Sequence, residues 1–103
     1  MAFYVYILAS QRNGTLYTGS TDQIERRAWQ HQAGDTPGFT SRYGVKHLVW
    51  FEVHTTREEA FRRERAIKKW NRQWKIEMIE RSNPAWRDLS ECFLATALPA
   101  EAD

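Results

Sequence analysis

Residues 3–9 alternate Phe3, Val5 and Ile7 against Tyr4, Tyr6 and Leu8, so both faces of an extended segment are apolar or aromatic. A strand with no polar face must be covered on both sides, which predicts a central strand. Arg12-Asn13-Gly14 is a turn signal, and residues 15–20 return as a second strand, forming an antiparallel hairpin with the first. Gly19 leaves a gap in that second strand where another backbone or a ligand can come close. A third strand is predicted over 47–54, where Val49, Phe51 and Val53 alternate with Leu48, Trp50 and Glu52.

Between and after the strands the period changes to that of helices. Asp22 with Glu25 has capping-box spacing and starts a helix running to about Gln32, with Ile24, Ala28 and His31 on one stripe. Residues 34–44 hold three glycines and Pro37 and read as a loop. Thr56 with Glu59 repeats the capping signal for a helix to about Trp70, and Asn71 can cap another through Glu80. Asn83-Pro84 suggests a third cap, with proline at the first position of a short final helix. The order β-β-α-β-α-α describes an α+β domain, a small three-stranded antiparallel sheet flanked by helices. Residues 3–89 are expected to form this single domain. Residues 90–103, alanine-rich with Pro99, are expected to be a flexible C-terminal tail.

Two polar residues interrupt the apolar stripes. Arg27 lies on the same side of the first helix as Ile24 and His31. Glu64 falls in the middle of the Ala60, Phe61, Ile67 stripe of the second. A carboxylate facing a core costs several kcal/mol unless it is paired or ligates a metal. Glu64 can therefore be an ion-pair partner of Arg27, a residue at the stripe's rim, or a metal ligand. Tyr4 and Tyr6 share one face of the first strand, with Tyr17 on its partner. Such phenols can be ordinary core residues with bonded hydroxyls. Beside an arginine and a carboxylate they can also form a phosphodiester site, in which a phenol of lowered pKa takes a proton from water.

Composition narrows the classes. The 103 residues are 42% hydrophobic, 27% charged and 14% aromatic with five tryptophans, as in a globular domain. No apolar run reaches the roughly 20 residues of a membrane span, and no signal-peptide order opens the chain. A single cysteine excludes an internal disulfide and a cysteine-based zinc site, making the cytoplasm the expected location. The net charge of +2 is uninformative, but residues 57–75 hold eight basic and three acidic side chains. That run is either a solvated helix face with intrahelical pairs or a surface that meets phosphates.

Tyr4-Val5-Tyr6 followed by Tyr17-Thr18-Gly19 resembles the paired motif that names the GIY-YIG nuclease superfamily, with the first motif's glycine and isoleucine replaced. The segment from Glu25-Arg26-Arg27 to His31 is similar to that family's arginine helix. Glu64, followed by Ile67-Lys68-Lys69-Trp70, resembles its metal-binding glutamate. The stretch 38–44 and the ending Asn83-Pro84 with Trp86-Arg87-Asp88-Leu89 are similar to the small stand-alone bacterial members. The resemblance implies that Tyr6 is a general base or orients the attacking water, and that Tyr17 bonds near the scissile phosphate. It implies that Arg27 stabilises the pentavalent transition state and that His31 assists proton transfer or phosphate contact. Glu64 is then the sole protein ligand of Mg²⁺ or Mn²⁺, an ion that keeps several waters and borrows phosphate oxygens. Asn83 matches an asparagine found late in family members, or is simply a helix cap.

The implied activity is a metal-dependent endonuclease acting on nucleic acid, DNA more than RNA, including branched, damaged or single-stranded forms. These residues show no additional targeting module, so little sequence selectivity is expected and a protein partner would supply any targeting. Affinity would rest on Arg42, Lys46, Lys68, Lys69 and Arg72, and fall steeply with salt. The competing readings are a non-catalytic nucleic-acid-binding module that keeps the fold, and an Arg27–Glu64 ion pair of purely structural role.

Overall fold

The computed structural model of the chain describes residues 2–27 and 44–90. Strand β1 (Phe3–Ala9) is central, as its double apolar alternation requires, between β2 (Leu16–Thr21) and β3 (His47–His54) in the order β2-β1-β3. Both neighbours run antiparallel to it, with Tyr6 opposite Gly19 and Phe51, and Val5 opposite Ser20 and Glu52. The hairpin closes through Asn13, which takes a left-handed φ of 60°, and the Gly14 amide donates to the Gln11 carbonyl.

The predicted alternation of β3 is broken. Ile7 pairs with Trp50 but Leu8 with Leu48, so Val49 is an extra residue in a bulge. Val49 and Trp50 consequently pack into the same core, although a strict period of two would place them on opposite faces.

The sheet separates two apolar layers. Val5, Ile7 and Ala9 face Ala60, Ile67, Met78, Ile79 and Trp86. Tyr6 and Leu8 face Ile24, Val45 and Leu48, with Tyr17, Phe51 and Leu89 at the margin. Residues 24–27 are helical (α1). Their start differs from expectation: the Gln23 amide bonds the Thr21 hydroxyl at 3.0 Å, while Asp22 pairs with Arg57 at 3.3 Å. Asp22 is thus drawn across to Arg57, the Thr21 hydroxyl closes a local turn, and the Gln23 carbonyl accepts the first helical bond from the Arg27 amide.

Helix α2 (Arg57–Lys68) begins where Thr56 accepts from the Glu59 amide, and it turns Ala60, Glu64 and Ile67 inward. Helix α3 (Arg72–Ser82) is capped by Asn71, whose side chain accepts from the Trp74 amide at 2.9 Å. The expected short helix after Asn83-Pro84 is instead a turn over residues 84–85. The Asn83 carboxamide accepts from the Arg87 amide, four residues on, and donates to the Val49 and Arg87 carbonyls. The chain thus wraps around Asn83 and turns Trp86 into the core at a left-handed φ of 57°. The segment then docks on β3, where the Asp88 carboxylate accepts from the Leu48 amide. Ser90 is fully buried. The predicted stretch of the first helix to Gln32, the loop apart from Gly44, and the tail beyond Ser90 lie outside the described residues. No helix among the described residues is long and apolar enough to cross a membrane.

Candidate active site

Tyr6 comes from the middle of β1 and is only 4% exposed. Its register partner is Gly19, and the phenol folds across that bare position. A Cβ added to Gly19 would stand 2.7 Å from the Tyr6 hydroxyl oxygen and 3.2 Å from the Tyr17 ring. The gap read in the sequence is thus filled by Tyr6 itself. Tyr17, opposite Leu8 on the same face, sets its ring 6.5 Å from that of Tyr6 at 44°.

Burial raises the Tyr6 pKa far above its ordinary value, and the field of Tyr17 adds to this. Arg27 acts in the opposite sense and Glu64 raises it further, so both charges act on the Tyr6 phenol. Desolvation outweighs the cation. The phenol of lowered pKa expected from the sequence is therefore not Tyr6, which stays neutral.

Glu64 is 9% exposed on the sheet-facing side of α2. The Ser20 hydroxyl donates to its Oε1 at 2.5 Å, and the Lys68 ammonium meets its Oε2 at 2.7 Å. Ser20 follows Gly19 directly, so its side chain leaves the opposite face of edge strand β2. Tyr6 and Glu64 thereby approach the same short piece of β2 from its two sides. Among the described residues no ion pair joins Arg27 to Glu64; Lys68, one turn along α2, is the cation on that carboxylate. Arg27 is exposed, on the helical segment 24–27 that packs through Ile24.

No group of three or more potential ligands from histidine, cysteine and acidic residues occurs among the described residues. The donor set is a single hard carboxylate already compensated by a cation. That suits Mg²⁺ or Mn²⁺ only where water and substrate phosphate complete the shell. With that condition the residues fit.

The remaining predicted residues fall in different places. Lys68 is at the site itself. Arg72 donates to the Asn13 and Gly14 carbonyls and ties α3 to the hairpin turn. Lys75 joins this edge: partial burial lowers its pKa, and the fields of Arg72 and Lys68 lower it further. Lys69 is exposed at the end of α2 and Lys46 just before β3. Asn83 spends its carboxamide on backbone groups. His31 and Arg42 lie outside the described residues. Sequence reasoning missed Ser20, which meets Glu64 from 44 residues away with no local signal. It also missed the Lys68–Glu64 pair, which the i, i+4 spacing could have shown.

The family model of the GIY-YIG catalytic domain matches residues 2–77. The chain belongs to the GIY-YIG family. It is similar to a UPF0213 protein of Staphylococcus haemolyticus, 42% identical over 77 residues, or 75% of this chain and 93% of that one. A UPF0213 protein of Haloquadratum walsbyi is 39% identical over 77 residues, 75% of this chain and 85% of that one. The solution NMR structure of a UPF0213 protein from Bacillus halodurans has 30% identity and a TM-score of 0.54, covering 88% of this chain and 96% of that one. The GIY-YIG match takes in Tyr6, Tyr17, Arg27, Glu64 and Lys68 and ends before Asn83.

Proposed function

We propose that this chain is a metal-dependent endonuclease that hydrolyses phosphodiester bonds in nucleic acid, DNA rather than RNA, with little sequence preference. The observation that carries this reading is the approach of Tyr6 and Glu64 to Gly19-Ser20 from the two faces of edge strand β2, with Arg27 acting electrostatically on the same phenol. A neutral Tyr6 accepts a hydrogen bond from water and orients it for attack; it is not a phenolate base. As the new P–O bond forms, the water's proton passes to a phosphoryl oxygen, while the P–O bond to the leaving alkoxide breaks and the alkoxide takes a proton from solvent. Tyr17 bonds the phosphate beside it. The Arg27 guanidinium offers forked donors to the phosphoryl oxygens as charge builds on them. Glu64 holds the Mg²⁺ or Mn²⁺ ion, kept in orientation by Ser20. When bound, that ion supplies charge stabilisation at the scissile phosphate. Lysines at the site meet phosphates, which position a nucleic acid without reading its sequence.

Purified protein should nick DNA when Mg²⁺ or Mn²⁺ is added. Glu64→Ala and Arg27→Ala should each lower the rate by about 10²–10³, the scale of losing one transition-state contact. Activity that survives in both variants overturns the assignment. One observation favours the non-catalytic binding module: Lys68 already neutralises the carboxylate. That reading predicts binding without turnover on every metal and substrate form.

A further inference from the structure

A cavity of about 560 Å³ opens next to Ser20, the residue that holds Glu64. Its floor is Ala60 and its walls include Phe3, Phe61 and Arg57. Phe61 is 53% exposed, a large aromatic left half in solvent beside the buried Ala60 and Ile67. Guanidinium groups already lie against both rings, Arg57 at 4.9 Å from the Phe3 centroid and Arg65 at 5.7 Å from that of Phe61. Aromatic rings beside arginine planes are the surface on which unstacked bases settle, because every base offers a π-face.

The cavity is also in line with the site. Arg57, Phe61, Glu64 and Lys68 follow one another at i, i+4, i+7 and i+11 along the same side of α2. The row continues into Arg72 and Lys75, whose charges act together with that of Lys68. Glu64 therefore has an aromatic recess on one side and a cationic patch on the other. The acidic wall residue, Glu58, is paired with Arg62 at 3.3 Å, and Arg57 is paired with Asp22 at 3.3 Å, so the recess has no large net charge of its own.

We propose that this recess is a base subsite: it receives an unpaired nucleobase next to the phosphate positioned at Glu64, while the neighbouring phosphates lie along Lys68 and Lys75. This rests on reading the Glu64 site as one that handles phosphodiesters, and it names the substrate class as single-stranded or locally unpaired nucleic acid. A base within a duplex has both faces covered by its neighbours and cannot enter without being extruded, which costs a few kcal/mol.

The test is anisotropy of a labelled single-stranded oligonucleotide and of the matching duplex, under chelation, with the full chain and with Phe61→Ala. A stacked base is worth about 1–3 kcal/mol, so the variant should lose roughly 5- to 150-fold in single-strand affinity. Duplex affinity should stay unchanged. Phe61→Trp should retain single-strand binding. Phe61 is half exposed, and thermal unfolding of each variant checks that the fold persists. Equal losses on both substrates, or no loss, overturn the subsite. Because binding is read without metal, a chain that never cleaves can still show the Phe61-dependent preference. That outcome would remove the nuclease reading and leave the subsite standing.

Discussion

Lys68 stands 2.7 Å from one oxygen of Glu64, so it would compete with any cation that carboxylate binds. The lysine side chain is half exposed, so this pair is screened and weak. Replacing it by methionine should raise Mn²⁺ affinity in the absence of nucleic acid about two- to fivefold, measured by calorimetric titration. Unchanged affinity would mean that lysine and metal do not compete. Tyr6 gives a different signature. Its folded pKa lies above the ordinary value of 10.0 because burial disfavours the phenolate. Above about pH 10 the unfolded chain releases this proton while the folded chain keeps it. Stability from this group is therefore intact below that pH and falls as the pH rises, by about 1.4 kcal/mol per unit. Urea unfolding at about pH 9.5 and 11 should show a steeper loss for the parent than for Tyr6→Phe.

Local chemistry made most elements legible. Paired faces of alternating apolar residues marked β1 as central, and Thr56 and Asn71 cap α2 and α3 through their own side chains. What escaped depended on partners distant in sequence. Asp22, expected to cap the first helix, reaches Arg57, 35 residues away, and the helix opens at Gln23. The β3 bulge comes from how β1 and β3 register, which no single strand encodes. The candidate site divides in the same way: Glu64 was visible as a carboxylate on an apolar stripe, whereas Ser20 became its partner only when β2 met α2. Asn83 belongs with the long-range group. Its proline neighbour suggested a helix start, yet its carboxamide joins α3, β3 and the segment around Arg87. Asn83→Ala leaves buried backbone groups unpaired and should cost about 2–3 kcal/mol in urea unfolding. If it also lowers catalysis more than the population of folded protein explains, Asn83 acts at the site as well as in the fold.

At the scale of the molecule, charge is arranged by place rather than by total. A net +2 would give little attraction to a polyanion, but the basic excess of residues 57–75 lies on α2, which packs over β1 and β2, and on α3, which packs on β3 and reaches the hairpin turn through Arg72. Part of that excess is already engaged, since Arg62 and Arg63 pair with Glu58 and Glu52 and Arg72 holds the hairpin turn. Lys69 and Lys75 with Arg27, and Lys68 where a cation displaces it from Glu64, are then the cations best placed to meet phosphates. If about four phosphates are neutralised, counterion release gives a slope of log affinity against log salt near −3.6 on duplex DNA. Affinity should fall roughly a hundredfold between about 50 and 200 mM salt. Single-strand binding should fall less steeply, because each phosphate releases fewer counterions there and base stacking is not screened. Lys69→Ala should lower the slope by about one contact on both forms, measured by anisotropy across a salt series. Phe61→Ala should instead leave both slopes unchanged and shift only the single-strand intercept. The two variants thereby separate the phosphate-binding surface from the aromatic recess in one set of titrations.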